Sequence, residues 1–141
     1  MNDALTIDAS VFVSAFSPTE KSSEQSWRFL AQIRAAGIPV FVPTLMLVEV
    51  VASLARKQNN TSLVLDWMEK IRQLNFLTFV PLDDDLARES AKVAASQHLR
   101  GSDAVYVAVA RRFGAALVTL DSEQARRAAP LIPVRSHHLF G

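Results

Sequence analysis

The sequence contains no cysteine, which excludes disulfide bonds and thiolate metal sites. It also lacks an excess of charge, since 15 Lys and Arg residues face 14 Asp and Glu residues. A net charge of +1 gives no bulk electrostatic argument for a nucleic-acid partner, so any such argument must come from local features.

Long apolar runs are missing as well. The longest, residues 40–55, is interrupted by Pro43 and Glu49 and is too short to cross a membrane. The first residues, Met-Asn-Asp-Ala, lack the basic start and apolar core of a signal peptide. We therefore expect a cytoplasmic protein with no membrane partner.

Apolar side chains, by contrast, make up 50% of the 141 residues. This length suits one domain with its own core, and the sequence contains no internal repeat and no interdomain linker. We predict a single domain over residues 1–141. The apolar content is at the upper end of the usual range, which favours an oligomer or a partner surface.

Short apolar runs alternate with amphipathic segments. The apolar runs predict strands at residues 5–7, 38–42, 76–80, 115–120 and 132–135. Helical periodicity and capping patterns predict helices from Ser10, from Ser22 to Gly37, over 45–57, from 61 or 62, from Asp83 to His98, from Ser102 to Gly114, and over 122–129. This alternation predicts an α/β domain with a mostly parallel sheet.

Three acidic residues follow strands or open a helix. Asp8 ends the first apolar run, and Asp121 stands where the fourth predicted strand stops. Ser102 is a favourable N-cap, which would place Asp103 in the first helical turn. Loops at the C-terminal strand ends of an open parallel sheet form the rim of its site. Each acid also has a purely structural explanation, as a helix cap for Asp8 and Asp121 and as a dipole partner for Asp103.

Glu49 is the most informative single residue, because it interrupts an otherwise apolar helix. An isolated buried carboxylate is unfavourable unless a partner compensates it. One interpretation puts Glu49 on a narrow exposed stripe with Ser53 and Arg56. The other puts it beside a polar site at the strand ends.

The four acids would form a hard-ligand metal site if they converged. Carboxylate oxygens without His or Cys favour Mg²⁺ or Mn²⁺ over zinc. Such a site can ionise a water molecule and stabilise an in-line phosphoryl displacement. Without a metal ion, the clustered carboxylates would repel each other and raise their pKa values.

Ordered sequence blocks resemble the PIN domain family, most closely its VapC-type toxin ribonucleases. The blocks are Ile7-Asp8-Ala9-Ser10-Val11, Pro43 with Glu49-Val50, the run Gly101 to Ala110, and Leu117-Val118-Thr119-Leu120-Asp121. The resemblance covers nearly the whole chain. It implies a three-layer α/β/α fold around a central parallel sheet.

The resemblance also implies roles for single residues. Asp8, Glu49, Asp103 and Asp121 would form the catalytic and metal-binding site. Asp8 and Asp103 would be the chief ligands, Glu49 would bind a metal or orient its water, and Asp121 would complete a second site or act through water. Two hydroxyl residues would support this shell, Ser10 and Thr119.

Function follows from the same resemblance. It implies an endoribonuclease that depends on Mg²⁺ or Mn²⁺ and acts on RNA, as the toxin of a toxin–antitoxin pair, with a small antitoxin partner and a homodimeric state. Arg100, beside the Asp103 block, is our candidate for a phosphate contact. The alternatives are a housekeeping RNA-maturation nuclease of the same fold and a non-catalytic PIN-like binding module.

Overall fold

The computed structural model describes residues 3–138, which contain one parallel five-stranded sheet. Its strands are β1 (Leu5–Ile7), β2 (Val40–Pro43), β3 (Leu77–Val80), β4 (Ala116–Val118) and β5 (Val134–Arg135). They lie in the order β3-β2-β1-β4-β5, and every neighbouring pair is parallel. The predicted strand positions are confirmed, with the same or shorter bounds except for β2, which begins two residues later and ends one residue later than predicted.

Helices connect the strands and cover both faces of the sheet. They are α1 (Ala9–Phe16), α2 (Ser23–Ala36), α3 (Leu45–Lys57), α4 (Thr61–Arg72), α5 (Asp84–Gln97), α6 (Gly101–Phe113) and α7 (Ser122–Ala128). The connections from β1 to β3 move towards one edge and those from β3 to β5 move back. Right-handed crossovers therefore place α1–α4 on one face and α5–α7 on the other. The three-layer α/β/α prediction is confirmed.

The strand order creates a switch point between β1 and β4. From β1 the chain proceeds to β2 on one side, and it later returns from β3 to β4 on the other side. Ile7 pairs in register with Val118, so both strands end at the same level. A crevice at the C-terminal strand ends of such a switch point is the usual ligand site of an open α/β sheet.

Helix α6 forms the centre of one face. Every residue from Ala104 to Ala110 is buried, because α6 packs on β1, β2 and β4 on one side and on α5 on the other. The helix ends at Gly114, whose positive φ of 62° suits a glycine, as the sequence predicts. Because α6 leads back to the start of β4, its N-terminus, with Asp103, lies at the C-terminal ends of the parallel strands.

Two capping predictions are wrong. Helix α6 begins at Gly101 with Arg100 at the N-cap position, so Ser102 lies inside the helix. Ser22 is the N-cap of α2 but makes no side-chain capping bond, because its hydroxyl pairs with that of Ser14 at 2.6 Å. In both places a favourable residue type was present without the capping geometry.

Within the described residues, no helix combines the length and apolar content needed to span a membrane.

Candidate active site

Asp8 lies at the end of β1, with its side chain 5% exposed. It caps α1, and its Oδ1 accepts hydrogen bonds from the backbone N–H of Ser10 at 3.0 Å and from the Ser10 hydroxyl. Its Oδ2 accepts a hydrogen bond from the Thr119 hydroxyl at 2.6 Å. The cap interpretation and the site interpretation of Asp8 are therefore compatible.

The ionisation of Asp8 is set mainly by its burial. Burial raises the pKa of the Asp8 carboxyl to about 6, while hydrogen bonds from Ser10 and Thr119 oppose the shift. The negative charge of Asp103 adds a smaller upward contribution. Repulsion between the acids is thus present as expected, but desolvation is the larger cause. A cation at this place would favour the ionised form.

Ser10 and Thr119 tie the segment after β4 to Asp8. The Ser10 hydroxyl accepts a bond from the backbone N–H of Leu120 at 2.9 Å, and the Thr119 hydroxyl accepts one from that of Asp121 at 3.0 Å. Each hydroxyl donates its proton to Asp8. The two residues thereby hold Asp8 and Asp121 in one hydrogen-bonded frame across the switch point.

Gln124 completes this frame and was missed as a site residue. It is buried, and its amide lies 3.1 Å from the Thr119 hydroxyl. That hydroxyl has one proton, which Asp8 takes at the shorter distance of 2.6 Å. The contact is therefore satisfied when Nε2 of Gln124 faces Thr119 and donates, an orientation reached by an amide flip. In the sequence, Gln124 stands three residues after Asp121, which is the spacing of a capping box.

Asp121 uses its two oxygens differently. Oδ1 caps α7 by accepting from the backbone N–H groups of Glu123 at 2.9 Å and Gln124 at 3.2 Å. The backbone N–H of Asp121 donates to Thr119, so Gln124 does not return the bond of a capping box. Oδ2 points to Arg100 at 3.4 Å. The cap therefore leaves one carboxylate oxygen of Asp121 available to the site.

Arg100 joins Asp103 and Asp121. Its Nε lies 3.1 Å from Oδ2 of Asp103, and its Nη2 lies 3.4 Å from Oδ2 of Asp121. The hydrogen bond and charge of Asp103 raise the pKa of Arg100, and the charges of Asp121 and Glu49 act in the same direction. Arg100 therefore lies in the field of three of the four predicted acids.

Glu49 is half-buried on α3, and the Tyr106 hydroxyl donates to its Oε1 at 2.6 Å. Burial, followed by this bond and the charge of Glu49, raises the pKa of Tyr106, which stays a neutral donor. Tyr106 was missed because it belongs to the apolar run of α6. Its partner stands 57 positions earlier in the chain, and nothing local marks the pair.

Two open cavities adjoin this arrangement. One, of about 410 Å³, is lined by Ser10, Glu49, Ser53, Arg56, Lys57 and neighbouring residues. The other, of about 370 Å³, is lined by Arg100, Asp103, Asp121, Gln124, Arg127 and neighbouring residues. Glu49 therefore fits both interpretations. It lies on a stripe with Ser53 and Arg56, and this stripe lines a cavity that reaches Ser10 at the strand ends.

A family comparison agrees with this geometry. The family described as "PIN domain" matches residues 5–130, from the start of β1 to just beyond α7. This span covers most of the chain and includes all four predicted acids. The chain belongs to the PIN domain family. No curated protein matches it.

Solved PIN domain structures share the fold. VapC20 of Mycobacterium tuberculosis, described as a sarcin–ricin loop cleaving toxin, is 18% identical with a TM-score of 0.76, over 94% of this chain and 99% of that one. VapBC2 of Rickettsia felis, bound to promoter DNA, is 12% identical with a TM-score of 0.72, over 94% and 98%. FitAcB of Neisseria gonorrhoeae is 17% identical with a TM-score of 0.70, over 95% and 98%. At these identities the likeness shows the fold.

The donor set of this PIN domain fits a hard divalent cation, because its carboxylates supply oxygen and the cluster holds no His or Cys. As the side chains stand, no three acidic or His residues within 3–138 are arranged to hold a metal ion. Asp103 and Asp121 are paired with Arg100, and Glu49 is paired with Tyr106. The four acids thus lie around the switch point between β1 and β4, but three of them are paired with Arg100 or Tyr106.

Proposed function

We propose that this protein is an endoribonuclease dependent on Mg²⁺ or Mn²⁺ and the toxin of a type II toxin–antitoxin pair. Membership of the PIN domain family, whose members are typically nucleases, supports a hydrolase acting on nucleic acid. One structural observation carries the site assignment. Asp8, Asp103 and Asp121 meet at the switch point between β1 and β4 and are linked by Ser10, Thr119 and Arg100.

In this proposal Asp8, Asp103, Glu49 and Asp121 hold the divalent cation. When bound, the cation supplies a nucleophilic water and stabilises charge that develops on the phosphate oxygens. Ser10 and Thr119 keep the Asp8 carboxylate in one orientation, which is how neighbouring groups usually tune a metal ligand.

The substrate path follows the two cavities that flank Asp8. Arg56 and Lys57 line one cavity, and Arg100 and Arg127 line the other, so cations stand on both sides of the acids. Lys57 pairs with Glu20, whereas Arg56 has no ion-pair partner in the part of the chain that the structure describes. Cations on both sides suit the phosphates of a strand whose scissile bond lies at the acids. The choice of RNA over DNA rests on the resemblance to VapC-type enzymes.

The deciding experiment is cleavage of a total RNA pool by the purified protein with Mn²⁺. We expect cleavage that EDTA abolishes and that Asp8→Asn also abolishes. Asp66→Asn, at an exposed position on α4, is the matched control and should cleave normally. Single-stranded DNA with the sequence of an RNA that is cleaved in the pool tests whether the substrate class is RNA or DNA. Full activity of Asp8→Asn would refute the site, and cleavage unaffected by EDTA would refute the metal.

An antitoxin and a homodimer complete the proposal. A similar solved structure from Klebsiella pneumoniae is described as a toxin–antitoxin complex. This chain exposes apolar side chains that a partner could cover, including Trp27, Val48 and Leu65. An apolar cavity of about 470 Å³ beside Trp27, Leu74 and Phe76 contains no acid and is separate from the site. A small reading frame abutting the gene would favour a toxin over a housekeeping nuclease, and light scattering would measure the oligomeric state.

A further inference from the structure

Arg100 occupies the place where two of the proposed metal ligands meet. It stands at the N-cap position of α6, and its guanidinium reaches Oδ2 of Asp103 at 3.1 Å and Oδ2 of Asp121 at 3.4 Å. The oxygen of Asp121 that Arg100 contacts is the one not used to cap α7. The guanidinium therefore holds the oxygens that a metal ion would need.

We propose that Arg100 is an internal counter-ion of the acid cluster, which a divalent metal must displace in order to bind, so that Arg100 sets the metal affinity of the site. The proposal rests on the metal dependence proposed above. A divalent ion held by Asp103 and Asp121 would lie within a few ångströms of a guanidinium in its present position. Two cations at that separation repel strongly, so the two arrangements exclude each other.

The position of Arg100 allows this exchange. Its side chain is 77% exposed, while that of Asp103 is 13% exposed. Exposed ion pairs contribute little free energy, and a long flexible side chain leaves such a pair readily. Arg100 therefore weakens metal binding without preventing it. When no metal is bound, Arg100 in turn offsets one of the two negative charges of Asp103 and Asp121.

The displaced guanidinium would remain useful. Arg100 lines the same cavity as Asp103, Asp121 and Arg127. Once released, it can turn towards a phosphate oxygen, for which guanidinium geometry is well suited. Metal binding would thus free the cation that the substrate needs.

The test measures Mn²⁺ binding by titration calorimetry at pH 7.5 on the full chain. We expect Arg100→Gln to bind Mn²⁺ about tenfold more tightly than the unmodified protein, the effect of losing two surface ion pairs and one nearby charge. Arg100→Lys, which cannot reach both carboxylates through one planar group, should fall between them. The matched control is Arg126→Gln, because Arg126 is exposed on α7 and pairs with Glu123. Its affinity should change less than about twofold.

Asp103→Asn distinguishes failure of the metal site from failure of the counter-ion role alone. If the unmodified protein binds Mn²⁺, Asp103→Asn does not, and Arg100→Gln matches Arg126→Gln, then the counter-ion role is refuted while the metal site stands. Weaker binding by Arg100→Gln would refute it too. If neither the unmodified protein nor Arg100→Gln binds Mn²⁺, the metal site and the counter-ion role both fail. Thermal melts confirm that each variant is folded.

Discussion

The two halves of the candidate site are built differently. Asp8 is buried and receives bonds from Ser10 and Thr119, so both of its oxygens are oriented by neighbouring groups. Asp103 and Asp121 lie nearer the surface, with side chains 13% and 37% exposed, and share one exposed cation, Arg100. We call Asp8 with Ser10 and Thr119 the braced half of the site, and Asp103 and Asp121 with Arg100 the open half.

The difference separates one carboxylate held by hydrogen bonds from two carboxylates that share an exposed ion-pair partner. The braced half is connected to the core through the ends of β1 and β4, and moving Asp8 would break its three partly buried hydrogen bonds with Ser10 and Thr119. The open half is exposed to water. In the proposed metal site, Asp8 would already be held in place before a metal ion binds, whereas Asp103 and Asp121 would first have to release Arg100.

Thr119→Val would break the braced half and has the largest expected effect on stability. Valine keeps the shape of threonine but removes a hydroxyl that donates to Asp8 and accepts from the backbone N–H of Asp121. The Asp8 carboxylate, the Asp121 N–H and the Gln124 amide would each lose a partly buried partner, and the free energy of unfolding should fall by about 3 kcal/mol. Nuclease activity should fall about 10- to 100-fold. Urea unfolding and cleavage rates measure the two effects.

Thr119→Ser is the control for this change, because it restores the hydroxyl and removes one methyl group. It should recover most of the activity and stability. If Thr119→Ser and Thr119→Val behave alike, the hydroxyl is not what holds Asp8, and the distinction between the two halves of the site fails.

Asp8→Asn should stabilise the metal-free protein, with a smaller effect that depends on pH. The raised pKa of Asp8, from 3.8 to about 6, means that folding opposes its ionisation. This contribution to stability is fully present below about pH 4 and is lost as pH rises through 6. At neutral pH the penalty is about 3 kcal/mol, of which Asn should recover about 1–2 kcal/mol, because it replaces the hydrogen bonds imperfectly.

Urea unfolding in EDTA at pH 7.5 and pH 4 checks this sign. The gain should appear at pH 7.5 and nearly vanish at pH 4, where the folded protein already holds Asp8 protonated. Asp66→Asn, which is exposed, should change neither value. Destabilisation by Asp8→Asn at pH 7.5 would mean that the fold favours the ionised carboxylate. The hydrogen bonds from Ser10 and Thr119 would then stabilise the charge by more than burial destabilises it.

Elements with strong local signals could be predicted from the sequence. Helix α3 spans Leu45–Lys57, as predicted, because Pro43 and the pair Asn59-Asn60 bound a clear apolar period. Asp8 and Asp121 were located by simple interruptions of apolar strands. Their proximity followed from the parallel sheet, since the C-terminal ends of neighbouring strands meet at one edge.

Contacts between distant parts of the chain could not be predicted in the same way. The bond from Tyr106 to Glu49 joins two helices, and each residue locally resembles part of an apolar run. Asp121 and Gln124 have the spacing of a capping box, yet the Gln124 side chain faces Thr119. Arg100 was expected near the substrate, but its position between two carboxylates depends on where α6 and α7 begin.

The smallest expected effect is a difference in unfolding free energy between the alanine variants of two serines, one in each half of the site. Ser10 and Ser102 are each the second residue of a helix and lie close to an acid. Ser10 donates to Asp8 and accepts from Leu120, so Ser10→Ala should lower the unfolding free energy by about 1–2 kcal/mol. Ser102 is not the cap of α6, and alanine favours helices more than serine does.

Ser102→Ala should therefore change the unfolding free energy by less than about 0.5 kcal/mol and leave cleavage nearly unchanged. Urea unfolding of both variants under the same conditions measures the pair. Equal losses in the two variants would show that the open half is held by side-chain hydrogen bonds as firmly as the braced half. A clear loss in Ser10→Ala alone places the rigidity of the site on the side of Asp8, and it leaves the Asp103 side free to exchange a guanidinium for a metal ion.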